Sequence, residues 1–132
     1  MRIYITHCSA KKSETLRRNR KAGFPDELYI SKRIQSFMKK CKQQRVQWAI
    51  FSDLYGVWFP DSKHRWYEKA PDSVSEAEFT DLVKDFESRL AKYREIRFYY
   101  HPARFHRLYK RLIRQIRLRS RVRLFTRVTE IV

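Results

Sequence analysis

Blocks of hydrophobic and polar positions predict four strands along the chain. Apolar runs at residues 2–6, 46–51 and 96–100 are rich in β-branched and aromatic side chains, which favour strands. The run 46–51 is almost continuous, as is typical of a strand buried on both faces of a parallel sheet. Residues 121–128 alternate charged and apolar side chains, which predicts an edge strand with one wet face.

Three stretches between these strands repeat apolar residues at helical spacing. They cover residues 30–44, 75–93 and 102–118. The second opens with a capping box, in which Ser75 is the N-cap and Glu78 follows three residues later. These patterns predict one amphipathic helix in each stretch.

The segments between these elements are expected to be loops. Residues 14–27 are charged and contain Gly23 and Pro25, so we expect a mobile loop there. Residues 60–74 contain two prolines and are expected to lie over the strand ends. The order of elements predicts one compact α/β domain over residues 1–132, with a mainly parallel four-stranded sheet and about three packed helices.

The net charge of +17, from 31 Lys and Arg against 14 Asp and Glu, is concentrated at the two ends of the chain. Residues 1–50 carry 13 basic and 3 acidic side chains, and residues 101–132 carry 10 and 1. Such an excess favours a polyanionic partner, either nucleic acid (DNA or RNA) or, as the rival, acidic lipid. No apolar run approaches a membrane span, and no signal-peptide core is present, so we expect a cytoplasmic protein.

The third predicted helix concentrates this charge on one side. Pro102 suits its first position. The basic side has no acidic partner within the helix, which favours a nucleic-acid-binding surface over an ordinary solvated face. Its members are Arg104, Arg107, Lys110, Arg111, Arg114 and Arg117. The opposite side is apolar, and we expect it to pack on the sheet instead of contacting a membrane.

A polar loop follows the first strand and could hold an anion. Ser9, Lys11 and Lys12 combine exposed backbone N–H groups with lysine charge, as in phosphate-binding loops. Cys8 beside these lysines could be a nucleophile with a lowered thiol pKa, or an inert cysteine in a solvated loop. The two cysteines, Cys8 and Cys41, and the neighbouring His7 lack a recognised zinc spacing. No metal or cofactor is predicted.

A second polar group follows the strand 46–51. Ser52 and Asp53 end the apolar run, and Gly56 allows either a positive φ angle or a close approach of the backbone to a ligand. Ser52 and Asp53 are candidate catalytic residues, with Asp53 as a general base or a turn cap. Strands 2–6 and 46–51 are joined by one helix and should be neighbours, so both polar groups should meet at one edge of the sheet.

Aromatic and acidic residues around this turn complete the predicted ligand site. Tyr55 and Tyr67 are candidates for stacking on a nucleobase, while Trp58 is expected in the core. Asp61 is a candidate ligand-binding group, as a general base or a contact to ribose. An ordinary structural turn is the alternative for the whole stretch.

Two stretches together resemble a known family. The segment from Ile5 to Ser13 is similar to the N-terminal Ser-Pro-Ala-Lys-Thr segment of the YaaA peroxide-stress proteins. The segment from Phe51 to Pro60 is similar to their Ser-Gly-Leu-Tyr-Gly-Val-Leu-Arg-Pro segment.

A closer resemblance is to small domains of microbes and phages with Cys-Ser-Lys-Lys, Leu-Tyr-x-Ser and Leu-Ser-x-x-Tyr-Gly-Leu motifs. The residues that match these motifs are Cys8, Ser9, Lys11, Lys12, Leu28, Tyr29, Ser31, Ser52, Tyr55, Gly56, Pro60, Asp61 and Tyr67. The resemblance implies an α/β fold and, for the YaaA branch, association with DNA.

Two functions are therefore expected from the sequence. The first is a nucleic-acid-associated enzyme that acts on a nucleobase or nucleoside in a strand-end pocket. The second is a non-catalytic basic DNA- or RNA-binding module. The enzyme requires Cys8, Ser52, Asp53 and Tyr55 to converge on one cleft, whereas the module needs only a basic surface.

Overall fold

The computed structural model describes residues 1–132 as a central sheet of five strands with helices on both faces. The strands are β1 (Arg2–His7), β2 (Trp48–Ser52), β3 (Gly56–Trp58), β4 (Glu95–Tyr99) and β5 (Val122–Phe125). Their order is β3-β2-β1-β4-β5. The four predicted strands pair in parallel with their neighbours, and β1 lies beside β2 as expected.

The fifth strand, β3, was predicted as a turn and makes the sheet mixed, because it runs antiparallel to β2. A tight hairpin between Ser52 and Gly56 produces it. The Ser52 hydroxyl accepts hydrogen bonds from the backbone N–H groups of Leu54 and Tyr55, and Gly56 takes a φ of 72°. β5 lies at the opposite edge, as its alternating pattern predicted.

Five α-helices surround the sheet where about three were expected. They are α1 (Glu14–Asn19), α2 (Pro25–Leu28), α3 (Lys32–Gln44), α4 (Glu76–Leu90) and α5 (Arg107–Gln115). α1 and α2 lie in the segment predicted as a mobile loop, so that prediction was wrong. The Ser13 hydroxyl caps α1, and Pro25 opens α2, which buries Leu28.

Two predicted helix starts shift in the structure. Ser31 caps α3, so Ile30 precedes that helix and is 43% exposed instead of joining its apolar face. Pro102 opens a separate 3₁₀ turn, Pro102–Arg104, and α5 begins only at Arg107. The reason is that the His106 imidazole caps α5 by accepting the N–H of Leu108.

Strand residues alternate between two hydrophobic clusters, one on each face of the sheet. In β1, Ile3 and Ile5 pack with α4 and α5, while Tyr4 packs with α3 on the other face. α3 joins β1 to β2 on one side of β1, and α4 then leads across to β4 on its other side. This reversal creates a crevice beyond the carboxyl ends of β1, β2 and β4, where open α/β sheets bind ligands. None of the helices is both long and apolar enough to cross a membrane.

Candidate functional site

A cleft of about 720 Å³ occupies this crevice. We call it the strand-end pocket. Loops that follow β1, β2, β3 and β4 form it, together with the first turn of α3 and the start of α5. Its lining residues are His7, Cys8, Ser9, Ala10, Lys11, Lys12, Ser31, Lys32, Arg33, Asp53, Glu68, Lys69, Ala70, Pro71, His101, Arg104, His106 and Tyr109. Six of these are Lys or Arg and two are carboxylates, so the pocket favours anions.

The floor of the strand-end pocket contains a buried polar cluster of Cys8, Asp53 and Tyr109. The Tyr109 hydroxyl donates to Asp53 Oδ1 at 2.7 Å and lies 3.6 Å from the Cys8 sulfur. Burial raises the pKa of Asp53 above its ordinary value, against the opposing effect of the hydrogen bond from Tyr109. Asp53 is therefore a carboxyl group suited to exchange a proton in the pocket.

Cys8 occupies an environment that favours the neutral thiol. Burial, followed by the nearby charge of Asp53, raises the pKa of Cys8 to about 11. A nucleophilic cysteine needs a lowered pKa, and the lysines of this loop do not outweigh burial. These surroundings weigh against the predicted role of Cys8 as a nucleophile.

His7 supplies a further buried group at the floor. Its imidazole stacks on the Tyr109 ring with centroids 4.9 Å apart, and Nε2 has no hydrogen-bond partner. Burial and the adjacent Arg33 lower the pKa of His7 to about 3, so the ring is neutral near pH 7. No three His, Cys, Asp or Glu side chains are grouped so that they could hold a metal ion.

Two cations reach the interior of the strand-end pocket without a carboxylate partner. Lys12 is 8% exposed, and its Nζ lies 4.4 Å from the centroid of the Tyr67 ring. Arg33 donates to Thr6 Oγ1 and to the carbonyl of His7, each at 2.7 Å. Neither side chain has a carboxylate within salt-bridge distance, although the charge of Lys12 acts through space on Asp53 and opposes the rise of its pKa.

Arg33 was not among the predicted site residues, although the sequence contains a signal for it. The first turn of α3 has no acidic residue and instead begins Lys32-Arg33 directly after the N-cap Ser31. Cations at a helix N-terminus oppose the helix dipole. Such a start is unfavourable for the isolated helix but well suited to an anion held at its N-terminus.

The rim of the strand-end pocket is exposed and mainly basic. Lys11, Lys32 and Arg104 are exposed there, while Lys69 forms an ion pair with Glu78 at 2.8 Å. α5 also begins at the rim, because its N-cap His106 lines the pocket. The positive ends of α3 and α5 thus both add to the local potential.

The structure brings Cys8, Ser9, Lys11, Lys12 and Asp53 together in the strand-end pocket. Ser52 lies beneath it, fully buried, with its hydroxyl engaged in the β2–β3 turn. Ser52 is therefore not exposed to a ligand in this pocket.

The remaining predicted ligand residues do not line this pocket. Tyr55 stacks on His64 at 3.9 Å and donates to the carbonyl of Arg65. Tyr67 is buried and shares a 2.5 Å hydrogen bond with Tyr29, so its ring supports Lys12 instead of facing the cleft. Gly56 packs against Asp85, and Asp61 is exposed.

The basic residues predicted on the third helix divide among three environments. Arg104 lines the strand-end pocket. Arg107 and Arg114 line a second groove of about 330 Å³, which shares Pro71 and His106 with that pocket. We call it the α5 groove. Lys110 and Arg117 are exposed.

Arg111 also lines the α5 groove, but α4 supplies a carboxylate for it. Its guanidinium donates to both oxygens of Glu76, at 2.8 and 2.7 Å, and lies 4.0 Å over the Phe79 ring. The basic side of α5 has no acidic partner within the helix, as predicted. The packing of α4 against it nevertheless supplies Glu76 as a partner for Arg111. Arg111 is the basic residue of this face whose charge is most directly balanced.

No family, no curated protein and no solved structure matches this chain significantly. The resemblance to YaaA-like proteins therefore stays a prediction, and the geometry of the strand-end pocket carries the functional argument.

Proposed function

We propose that this protein binds nucleic acid, with one nucleotide unit in the strand-end pocket and neighbouring phosphates along the α5 groove. The observation that carries this proposal is the continuity of the basic strand-end pocket with the α5 groove at the switch point of the sheet. Asp72 and Glu76 also line the α5 groove, where they pair with His106 and Arg111. Arg107 and Arg114 form no ion pair there and remain available to phosphates. A nucleic-acid chain presents a charge at every nucleotide. An extended basic groove therefore matches a nucleic-acid chain better than it matches a single small anion.

Acidic lipid, the rival partner, fits this surface poorly. A basic amphipathic helix binds a membrane by inserting its apolar side into the lipid. In α5 that side is Leu108, Tyr109 and Leu112, all buried against the sheet and α4. Only the basic side is available, and it offers charge without an apolar anchor.

A triple charge reversal tests the proposal. Arg107→Glu, Lys110→Glu and Arg114→Glu replace exposed residues without breaking any ion pair, and Arg111 is left in place because it holds Glu76. We expect at least about a tenfold loss of affinity for short single-stranded DNA or RNA, measured by fluorescence anisotropy, since each lost phosphate contact weakens binding. The melting temperature should change little.

The matched control reverses three exposed cations outside α5: Lys21→Glu, Lys39→Glu and Arg94→Glu. It changes the net charge by the same amount, so a loss that is equal in both variants would mean that net charge alone drives binding. That result would contradict the proposed groove.

The second candidate function is an enzyme acting on a nucleobase or nucleoside in nucleic acid. The observation that favours it is the buried Asp53, with a raised pKa and a hydrogen bond from Tyr109, on the floor of a pocket large enough for a nucleoside. In this mechanism Asp53 exchanges a proton with the bound base, and Tyr109 fixes the orientation of the carboxyl group.

Asp53→Asn separates the two functions. The amide oxygen still accepts from Tyr109, so the variant should fold and bind nucleic acid like the wild type. An enzyme would lose product formation, followed by mass spectrometry of nucleosides and oligonucleotides, by about 100-fold or more. Asp61→Asn, in an exposed residue outside the strand-end pocket, is the matched control. If the wild type forms no product from any substrate, the enzyme is rejected and nucleic-acid binding without catalysis is the function that is left.

A further inference from the structure

Lys12 is the only Lys or Arg side chain of this protein that is buried. A lysine normally extends its ammonium group into water, and burial without a counter-ion costs several kcal/mol. Here the backbone of Lys12 pairs with that of Tyr29, and its side chain turns over the Tyr67 ring. The Lys12 ammonium group makes no hydrogen bond or ion pair, and the Asp53 carboxyl group, on which its charge acts, lies beyond salt-bridge distance in the strand-end pocket. An anion in the pocket would supply the missing partner.

Arg33 faces the same space from α3. Its three hydrogen bonds go to neutral acceptors, a hydroxyl, a carbonyl and the His7 ring nitrogen Nδ1, which orient the guanidinium without neutralising it. Its other N–H donors have no carboxylate partner. The group also lies in the first turn of a 13-residue helix, where the dipole adds positive potential. The orientation and the charge of Arg33 are thus fixed before a ligand arrives.

We propose that Lys12 and Arg33 form a seat for a terminal phosphate group, so that the strand-end pocket receives a phosphorylated end of a nucleic-acid chain. This inference rests on the proposed function and names the part of the nucleic acid that the pocket takes. A phosphate monoester carries about −1.5 to −2 charges at pH 7, whereas an internal phosphodiester carries one. Two unpaired cations match the doubly charged group, and the cleft has room for the adjoining nucleotide.

The test compares one short single-stranded oligonucleotide in three forms: with a 5′-phosphate, with a 3′-phosphate, and with hydroxyl groups at both ends. We expect one phosphorylated form to bind the wild type about tenfold or more tightly than the hydroxyl form, because charge-assisted hydrogen bonds are the strong ones. Lys12→Met and Arg33→Gln should each abolish the preference, because each should weaken binding of the phosphorylated form much more than binding of the hydroxyl form. The form that binds more tightly shows whether the pocket takes the 5′-phosphate or the 3′-phosphate of the chain.

Lys11→Met is the matched control, since Lys11 is exposed at the rim of the same pocket. It should weaken the three forms equally and keep the preference. A folding readout accompanies these variants: Lys12→Met should raise the melting temperature, because an unpaired buried charge is replaced by an apolar side chain of similar length. Inorganic phosphate at constant ionic strength should raise the melting temperature of the wild type but not that of Lys12→Met.

The outcomes separate the two proposals. Equal affinity of the wild type for all three forms overturns the phosphate seat and leaves nucleic-acid binding intact. No binding of any form overturns nucleic-acid binding, and the inorganic phosphate measurement then decides the seat alone. A phosphate effect that persists in Lys12→Met also overturns it.

Discussion

His7 and Cys8 place two groups of opposite titration behaviour at the end of β1. Both are buried by the aromatic residues and loops that close the strand-end pocket. Burial disfavours the charged form of each, which lowers the pKa of the imidazole and raises that of the thiol. Each of these two pKa shifts can be tested by a measurement on that side chain.

The titration of His7 predicts a loss of stability in acid. Its pKa is about 3 in the folded protein and about 6.5 when unfolded. Between these values the unfolded chain binds the proton that the folded one excludes, so stability falls as pH falls from 6.5 toward 3. The slope from His7 alone is at most about 1.4 kcal/mol per pH unit.

The comparison uses His7→Phe, which keeps the stacked ring and cannot titrate. Denaturant unfolding from pH 7 to pH 4 should show a steeper loss in the wild type than in the variant. Other groups contribute equally to both proteins, including Asp53, whose raised pKa has the opposite sign. Parallel curves would mean that His7 binds its proton in the folded state.

Cysteine alkylation tests the state of the two thiols. Burial raises the pKa of Cys8 to about 11 and that of Cys41 to about 12. Near pH 7.5 the thiolate of Cys8 is therefore a fraction on the order of one in a few thousand. We expect no iodoacetamide labelling of the folded protein within an hour and labelling of both residues in urea. A Cys8→Ala variant assigns the modified site, and rapid labelling of native Cys8 would restore its role as a nucleophile.

At the scale of single residues, the sequence predicted the site only where the chain itself decides the position. Asp53 directly follows β2 and Lys12 lies in the loop that follows β1, so parallel pairing of these buried strands brings both residues into one pocket. The burial of Lys12 depends on Tyr29 and Tyr67, which reach it from distant parts of the chain. Periodicity and local motifs contain no information about such contacts.

Elements with their own local signals were predicted well. α4 has the capping box of Ser75 and Glu78 and begins at Glu76. β3 and α2 are only three and four residues long, so tertiary contacts must stabilise them. β3 is held by pairing with β2, and the carboxylate of Asp85 on α4 accepts the N–H of Val57 at 2.7 Å. These elements could not be predicted from a local pattern.

Gly56 shows how this hairpin depends on α4. A Cβ atom at position 56 would lie 2.2 Å from Asp85 Oδ2, and the φ of 72° is one that other residues rarely adopt. Gly56→Ala should therefore destabilise the protein by about 2 kcal/mol or more, of which the backbone conformation contributes roughly 1–2 kcal/mol. The midpoint of urea unfolding measures the change.

A double-mutant cycle with Asp85→Ala separates the steric part of this cost from the backbone part. The second substitution removes the clashing carboxylate, so Gly56→Ala should cost less in that background. Affinity for nucleic acid should be unchanged in the folded variants, because Gly56 does not line the strand-end pocket. A loss of affinity without a loss of stability would instead support the direct ligand contact predicted from the sequence.

At the scale of the whole molecule, the fold turns an uneven charge pattern into one surface. The basic N-terminal region supplies Lys11, Lys12 and Arg33, and the basic C-terminal region supplies Arg104 and α5. The switch in strand order at β1 brings the two regions to the same edge of the sheet. The sequence predicted both basic regions, but their meeting depends on the sheet order, which local patterns do not determine.

This shared surface predicts a steep salt dependence that should become shallower when α5 is altered. For single-stranded nucleic acid, the logarithm of the binding constant falls with the logarithm of salt concentration by about 0.7 for each phosphate that the protein neutralises. Arg107→Glu, Lys110→Glu and Arg114→Glu together remove up to three such contacts, so the slope should decrease in magnitude by roughly 2. Titrations at five salt concentrations between about 50 and 300 mM measure it. Arg111→Ala should change the slope by much less than one contact, since Glu76 already balances that guanidinium. A slope that stays constant in the triple variant would place the phosphates away from α5.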